Sequence, residues 1–324
     1  KMINVAIVGY GNLGRGVEQA LSLNPDMALV GVFTRRDPKT VTTAGAQAYH
    51  LDQLVEQKET IDVCILCGGS ATDLPVQTPA LTKDFNTVDS FDTHAKIPEH
   101  FAKVAQVAKE NNTVAVISTG WDPGLFSLNR LYAQSILPTG ATNTFWGKGV
   151  SQGHSDALRR INGVADATQY TIPNETVIQQ LRAGEKPKLT TRDKHFRECF
   201  VVLEAGADEK KVRQTIVTMP DYFVDYDTEV HFISQEELNQ NHKAMPHGGT
   251  VLHTGETSTG VQQVIEYNLH LDSNPEFTAS VLVAYARACV RLAEEKQYGA
   301  YTVLDIAPKY LSPKSDEELR ETLL

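Results

Sequence analysis

Along the first third of the chain, apolar and polar positions alternate between two periods. Short apolar runs at 3–8, 28–33, 61–67, 87–89 and 113–117 read as buried strands. Between them, apolar positions recur with helical spacing at 13–23, 50–57, 76–83 and 97–110, the third stretch containing Pro79. This alternation predicts a Rossmann-type α/β domain, a doubly wound parallel sheet, over residues 1–120. From about 140 to 272 the pattern is mixed. Candidate strands at 168–171, 200–203, 214–217, 229–232 and 264–271 predict a second, antiparallel α+β domain over 121–274, expected to carry substrate and subunit contacts. Asn274-Pro275-Glu276 then supplies an N-cap, a proline at the first helical position and an acid in the first turn. A helix running from there to about Gln297 predicts a return of 275–324 to the first domain, with 302–305 as one more strand.

The first strand runs directly into Gly9-Tyr10-Gly11-Asn12-Leu13-Gly14. Strand, G-x-G-x-x-G and helix in that order form a dinucleotide-binding βα unit, with the pyrophosphate on the helix N-terminus. About 20 positions past the third glycine, where an NAD enzyme carries an acid for the ribose hydroxyl, this chain has Thr34-Arg35-Arg36. A hydroxyl and guanidinium groups suit a 2′-phosphate, which selects NADP. In a doubly wound sheet ligands lie at the carboxyl ends of strands. That rule places three loops at the cofactor edge: Gly69, Ser70, Ala71 and Thr72 after the third strand, Phe91, Asp92 and Thr93 after the fourth, and Trp121, Asp122 and Pro123 after the fifth.

Bulk properties narrow the partners. A chain of 324 residues, 41% hydrophobic and 22% charged, fits a two-domain globular enzyme. A formal charge of −10 argues against nucleic acid, and no apolar run approaches the roughly 18 residues of a membrane span. Cys64, Cys67, Cys199 and Cys289 are too few and too scattered for a disulfide framework. Cys64-x-x-Cys67 lies in an apolar run and has no second Cys or His pair, so it reads as buried thiols with no metal, in a reduced cytoplasmic protein.

Several segments resemble the meso-diaminopimelate dehydrogenases, NADP-dependent enzymes of lysine biosynthesis. They are the glycine turn through Arg15, Ser118-Thr119-Gly120-Trp121-Asp122-Pro123-Gly124, Phe145-Trp146-Gly147 and Ser151-Gln152-Gly153-His154-Ser155-Asp156-Ala157-Leu158-Arg159-Arg160. Met245-Pro246-His247-Gly248-Gly249 and Asn274-Pro275-Glu276-Phe277-Thr278-Ala279-Ser280 complete the set. The resemblance implies oxidation of the D-centre of an amino diacid by a homodimer. It also implies that Asp92 and Asp122, which on position alone could equally be loop or turn acids, contact the reacting amine. Trp146, Gln152 and Gly153 would receive the substrate chain, and Thr171, Arg197 and His247 the second amino-acid head group. Asn274 joins this set in competition with its capping role. Other NADP-dependent reductases of the aspartate and lysine routes lack support, because the middle domain carries no His-His pair or lysine-bearing loop of their kind. A catalytically silent NADP sensor would have no need of the Asp92, Asp122 and Arg197 set.

Overall fold

The computed structural model describes residues 1–324, which divide into two units, Lys1–Leu128 with Pro275–Leu324, and Asn129–Asn274. In the first, β1 (Ile3–Val8), β2 (Met27–Thr34), β3 (Ala48–His50), β4 (Val63–Leu66), β5 (Thr87–Asp89), β6 (Val114–Val116) and the strand Gly299–Tyr301 form one sheet. Its order is Gly299–Tyr301, β6, β5, β4, β1, β2, β3, and every neighbouring pair is parallel. The apolar runs are unbroken because both faces are covered. Val5 and Ile7 pack with Val17, Leu21, Ala286 and Val290 of the helices Asn12–Ser22 and Asn274–Glu294. Ala6 and Val8 point the other way, into a cluster with Phe33, Leu74 and Phe91. Arg287 is buried on the long helix and holds Asp26 through two bonds of 2.7 Å. That guanidinium keeps the Asp26 carboxyl below its usual range.

Two expectations for this unit are corrected, and one strand is added. The helix expected at 50–57 is two short 3-10 turns, Leu51–Gln53 and Val55–Gln57. His50 and Gln53 close a capping box across the first of them, so the chain leaves β3 by a tight turn. β3 itself, a three-residue edge strand on β2, is too short to show a period. At the C-terminal end, the strand is Gly299–Tyr301, and the expected strand at 302–305 is a turn in which Thr302 and Asp305 cap each other.

The second unit holds β7 (Ala141–Trp146), β8 (Gly149–Val150), β9 (Val164–Pro173), β10 (His195–Leu203), β11 (Thr228–Phe232), β12 (His247–Ser258) and β13 (Val261–Leu271). They form a four-stranded sheet in the order β11, β10, β9, β8 and a three-stranded sheet in the order β13, β12, β7. Two expectations fail together here. Residues 214–217 are the end of a helix, Glu209–Val217, and β10 pairs with β11 in parallel, not antiparallel. Asp208 caps that helix, and Val212 and Ile216, four residues apart, pack on Cys199 and Val201. A helical crossover between two strands of one sheet is what lets them run the same way.

All four cysteines are free. Burial pushes the Cys67 and Cys199 thiols up to about 12 and those of Cys64 and Cys289 further still, so none is a thiolate at neutral pH. No helix is long and apolar enough to cross a membrane.

Candidate active site

The strand order of the first unit reverses at β1, which pairs with β2 on one side and β4 on the other. Beyond the carboxyl ends of these strands lies a cavity of about 480 Å³, lined by Gly9, Tyr10, Gly11, Thr34, Arg36 and Gly69 among others. A Cβ on Gly14 would stand 2.3 Å from the Gly9 carbonyl oxygen, so only glycine lets the helix Asn12–Ser22 start this close to β1. A Cβ on Gly11 would meet nothing within 4 Å, which leaves its backbone open to a ligand. Gln77 also lines the cavity, and its Oε1 is buried without a hydrogen-bond partner. An open backbone at the second glycine, an orphaned amide oxygen and two arginines at the end of β2 fit a pyridine dinucleotide with a 2′-phosphate.

The tertiary structure adds two features to the turn. Arg35 pairs with Asp73 at 2.7 Å, an acid remote in sequence that also accepts the Gly69 N–H at 3.0 Å. The Gly69 amide and Arg35 hold the Asp73 carboxyl below its usual range. Arg36 donates to the Tyr10 carbonyl at 2.9 Å, while the Tyr10 hydroxyl donates to buried Glu18. Glu18 in turn accepts N–H groups from Ala44 and Ala46 at 3.2 and 3.1 Å. Burial and the Glu18 carboxylate push the Tyr10 phenol up to about 12, so it stays a neutral donor.

Asp92 and Asp122 follow β5 and β6, neighbours in the sheet. Asp92 is exposed, and its N–H donates to the Ser70 hydroxyl at 3.0 Å, which joins the loops after β4 and β5. Asp122 is half-buried beside Trp121, which is buried and meets Phe126 edge-on at 5.2 Å. The turn that carries Asp122 closes on Gly124, at φ +138°, where any Cβ would overlap the Gly120 carbonyl.

In the second unit, Thr171 on β9 and Arg197 on β10 are cross-strand partners, and Gly149 of β8 lies next in the same row. His247, at the start of β12, occupies the space a Cβ on Gly149 would fill. Thr171, Arg197 and His247, scattered in sequence, are thereby brought together. Arg197 is 7% exposed, donates to the Thr171 hydroxyl, and lies over the Tyr226 ring at 3.8 Å. It forms no ion pair with any carboxylate, and its Nε is buried without a partner. Burial lowers its pKa, while the adjacent Tyr226 and Cys199 oppose that. A desolvated guanidinium with an unused N–H has the chemistry to receive an anion.

Trp146 ends β7 at 37% exposure and stacks on His195 at 5.6 Å. The Trp146 backbone N–H donates to His195 Nε2 at 2.9 Å, so the neutral ring carries its proton on Nδ1. Burial, then the charges of Lys194 and Arg197, push His195 down to about 4. Gln152 and Gly153 are exposed in the first turn of the helix Gln152–Arg159, capped by Ser151. His154 in that turn is pushed down to about 4 by burial and by Arg197. The Asn274 N–H donates to the Met245 carbonyl at 2.9 Å. Sequence reasoning passed over Asp73, Glu18, His195 and Tyr226. Tyr226 had no sequence signal, because only the parallel β10–β11 pairing brings it under Arg197.

A dinucleotide crevice with cations at its ribose end, and a buried guanidinium without a carboxylate partner, fit an NADP-dependent amino-acid dehydrogenase, and this chain is of that class. Residues 120–273 match the diaminopimelic acid dehydrogenase C-terminal domain. A meso-diaminopimelate D-dehydrogenase of Ureibacillus thermosphaericus is 60% identical over 323 residues, 99% of each chain. DAP dehydrogenase of C. glutamicum, solved in complex with DAP, superposes with a TM-score of 0.91 at 46% identity over 99% of both chains. An engineered D-amino acid dehydrogenase bound to NADP+ gives 0.87 at 44% identity, with both chains covered completely. The chain belongs to the meso-diaminopimelate D-dehydrogenase family.

Proposed function

We propose that this chain catalyses the reversible reaction of meso-2,6-diaminopimelate, NADP+ and water to L-2-amino-6-oxopimelate, ammonium, NADPH and a proton, acting at the D-centre. Full-length identity to a curated enzyme supports the substrate. Within the geometry, the reading rests on Arg197, whose buried guanidinium has no carboxylate of its own to bind.

The glycine turn from Gly9 to Gly14, with Asn12 and Leu13 opening the helix, would hold the pyrophosphate. Thr34, Arg35 and Arg36 would take the 2′-phosphate, and the loops Gly69–Thr72, Phe91–Thr93 and Trp121–Pro123 the remainder of the dinucleotide. When bound, NADP+ supplies the acceptor for hydride. Asp92 and Asp122 accept N–H bonds from the substrate ammonium, orient the carbon that bears it, and draw off its proton so that an imine can form. Their carboxylates also stabilise the positive charge that the nitrogen regains as the iminium develops. Trp146 walls the substrate chain, and Gln152 and Gly153 meet it with polar groups. Arg197 clamps the second carboxylate in bidentate fashion, with Thr171, His247 and Asn274 adding hydrogen bonds.

The 121–274 segment also serves as the dimerisation domain of a cytoplasmic homodimer in this reading. β13 supports it as an 11-residue edge strand, a template for pairing with another chain. NADPH formation should be followed with meso-diaminopimelate beside its LL isomer. Turnover of the meso compound alone is expected, and equal rates with both, or none with either, would defeat the assignment.

A further inference from the structure

Asp89, the last residue of β5, is fully buried in the first unit and is one of its most heavily hydrogen-bonded side chains. Its Oδ1 accepts two backbone N–H groups, from Phe91 at 3.0 Å and from Ser118 at 2.9 Å. Its Oδ2 accepts the Thr78 hydroxyl at 2.7 Å and faces His100 Nε2 at 2.8 Å. The Asp89 backbone carbonyl accepts the Thr119 N–H at 3.0 Å. Two of these partners lie on helices, Thr78 on Leu74–Thr82 and His100 on Ile97–Asn111. The amides belong to the loops that leave β5 and β6, the loops that carry Asp92 and Asp122.

One carboxylate therefore ties both loops to each other and to the scaffold. Phe91 is held twice, by its N–H on Asp89 and by its ring, which stacks on His100 at 4.2 Å and 21°. Asp92 is the next residue. On the other loop, Ser118 is a non-glycine residue at φ +56°, a backbone state that persists only where the surroundings enforce it. The Asp89 bond to the Ser118 N–H does so, and that turn directs the chain toward Asp122.

We infer that Asp89 and His100 are positioning residues, a buried carboxylate–imidazole pair that sets the geometry between Asp92 and Asp122 without touching substrate. This rests on the reading that Asp92 and Asp122 handle the amine. With Asp89 as a carboxylate, Oδ2 only accepts, and the His100 ring presents an N–H at Nε2. Phenylalanine at 100 keeps the ring on Phe91 but loses that donor, whereas glutamine can restore it.

The test uses the whole enzyme with four variants, His100→Phe, His100→Gln, Asp92→Asn and Asp122→Asn, and with Thr78→Val should His100→Phe fail to fold. Steady-state kinetics with meso-diaminopimelate would be measured well below each melting temperature, with NADPH binding followed by its fluorescence. His100→Phe, or Thr78→Val in its place, should lower kcat roughly 10- to 100-fold, the scale of a displacement of about 1 Å at a reacting centre. Affinity for NADPH should fall by less than kcat does, because the glycine turn and the arginines after β2 are untouched, and His100→Gln should recover most of the lost kcat. A part that merely supports folding would lower the melting temperature and leave kcat of the folded enzyme alone. That result, with kcat lost in the two aspartate variants, would overturn this inference only. Unchanged kcat in both Asp92→Asn and Asp122→Asn would overturn the reading of the site and, with it, the purpose assigned to the pair.

Discussion

Replacing Arg197 with methionine should move stability and diacid turnover in different directions. In the free protein the guanidinium is 7% exposed and finds a hydroxyl and an aromatic face, with no carboxylate. Desolvating such an ion costs several kcal/mol, against which a buried cation–π contact returns about 2 kcal/mol and a hydrogen bond from a charged group about 1.5–3 kcal/mol. These nearly cancel. Methionine has a similar length and no charge, so the variant should be as stable as the parent or more stable by about 1 kcal/mol. Binding of a diacid is another matter. Losing one partner of a buried, hydrogen-bonded charge pair costs about 2–5 kcal/mol. That corresponds to a fall in kcat/KM for meso-diaminopimelate of roughly 30-fold to several-thousand-fold. A D-amino acid with a plain alkyl side chain lacks the second carboxylate and should lose little. Thermal unfolding of the free protein and kinetics on both substrates decide the matter. A loss of stability above about 2 kcal/mol would make Arg197 a structural clamp, and equal losses on both substrates would remove it from recognition of the second head group.

Three further outcomes are expected. Gly14→Ala places a methyl group 2.3 Å from the Gly9 carbonyl, so the turn must open, and NADP+ titration should show affinity reduced at least about tenfold. Arg36→Ala should raise the KM for NADP+ by about tenfold or more while leaving that for NAD+ within about twofold, since only the phosphate uses its charge. A rise for both dinucleotides alike would assign Arg36 to the turn through its bond to Tyr10. His195 and His154 sit near pKa 4 in the folded protein against about 6.5 unfolded, so the unfolded chain binds more protons between those values. Stability should be complete above pH about 6.5 and fall as pH drops toward about 4. His195→Gln, which can still accept the Trp146 N–H, should flatten that slope in denaturant melts, and an unchanged slope would show that His195 does not titrate there.

Much of the first unit was legible along the chain because its signals are local. A parallel strand buried on both faces appears as an unbroken apolar run, as at 3–8. The G-x-G-x-x-G turn must follow a strand and open a helix within a few residues, so Gly9 to Gly14 could be placed from spacing alone. Thr34, Arg35 and Arg36 could be placed from the end of β2. Elements with no full period were misread or missed, namely the capped turns at 50–57 and 302–305 and the edge strand Ala48–His50, and the last residues of the helix Glu209–Val217 were taken for a strand. That last error reversed the expected β10–β11 pairing, which no local pattern encodes.

Only tertiary structure decided which remote groups meet. Asp73 reaches Arg35 from a different loop, His195 supports Trp146 from another sheet, and Tyr226 lies under Arg197 because a crossover helix brings β11 alongside β10. Asp89 binds amides that lie 2 and 29 residues away along the chain. Burial turned tertiary packing into chemistry, depressing His154, His195, His242 and His247 and leaving the Arg197 guanidinium without a counter-ion. Local sequence specifies backbone period and turn chemistry, because these depend on a few adjacent residues. Electrostatics in a folded interior depends on what water is excluded and which distant side chain takes its place, and that is settled only when the chain packs.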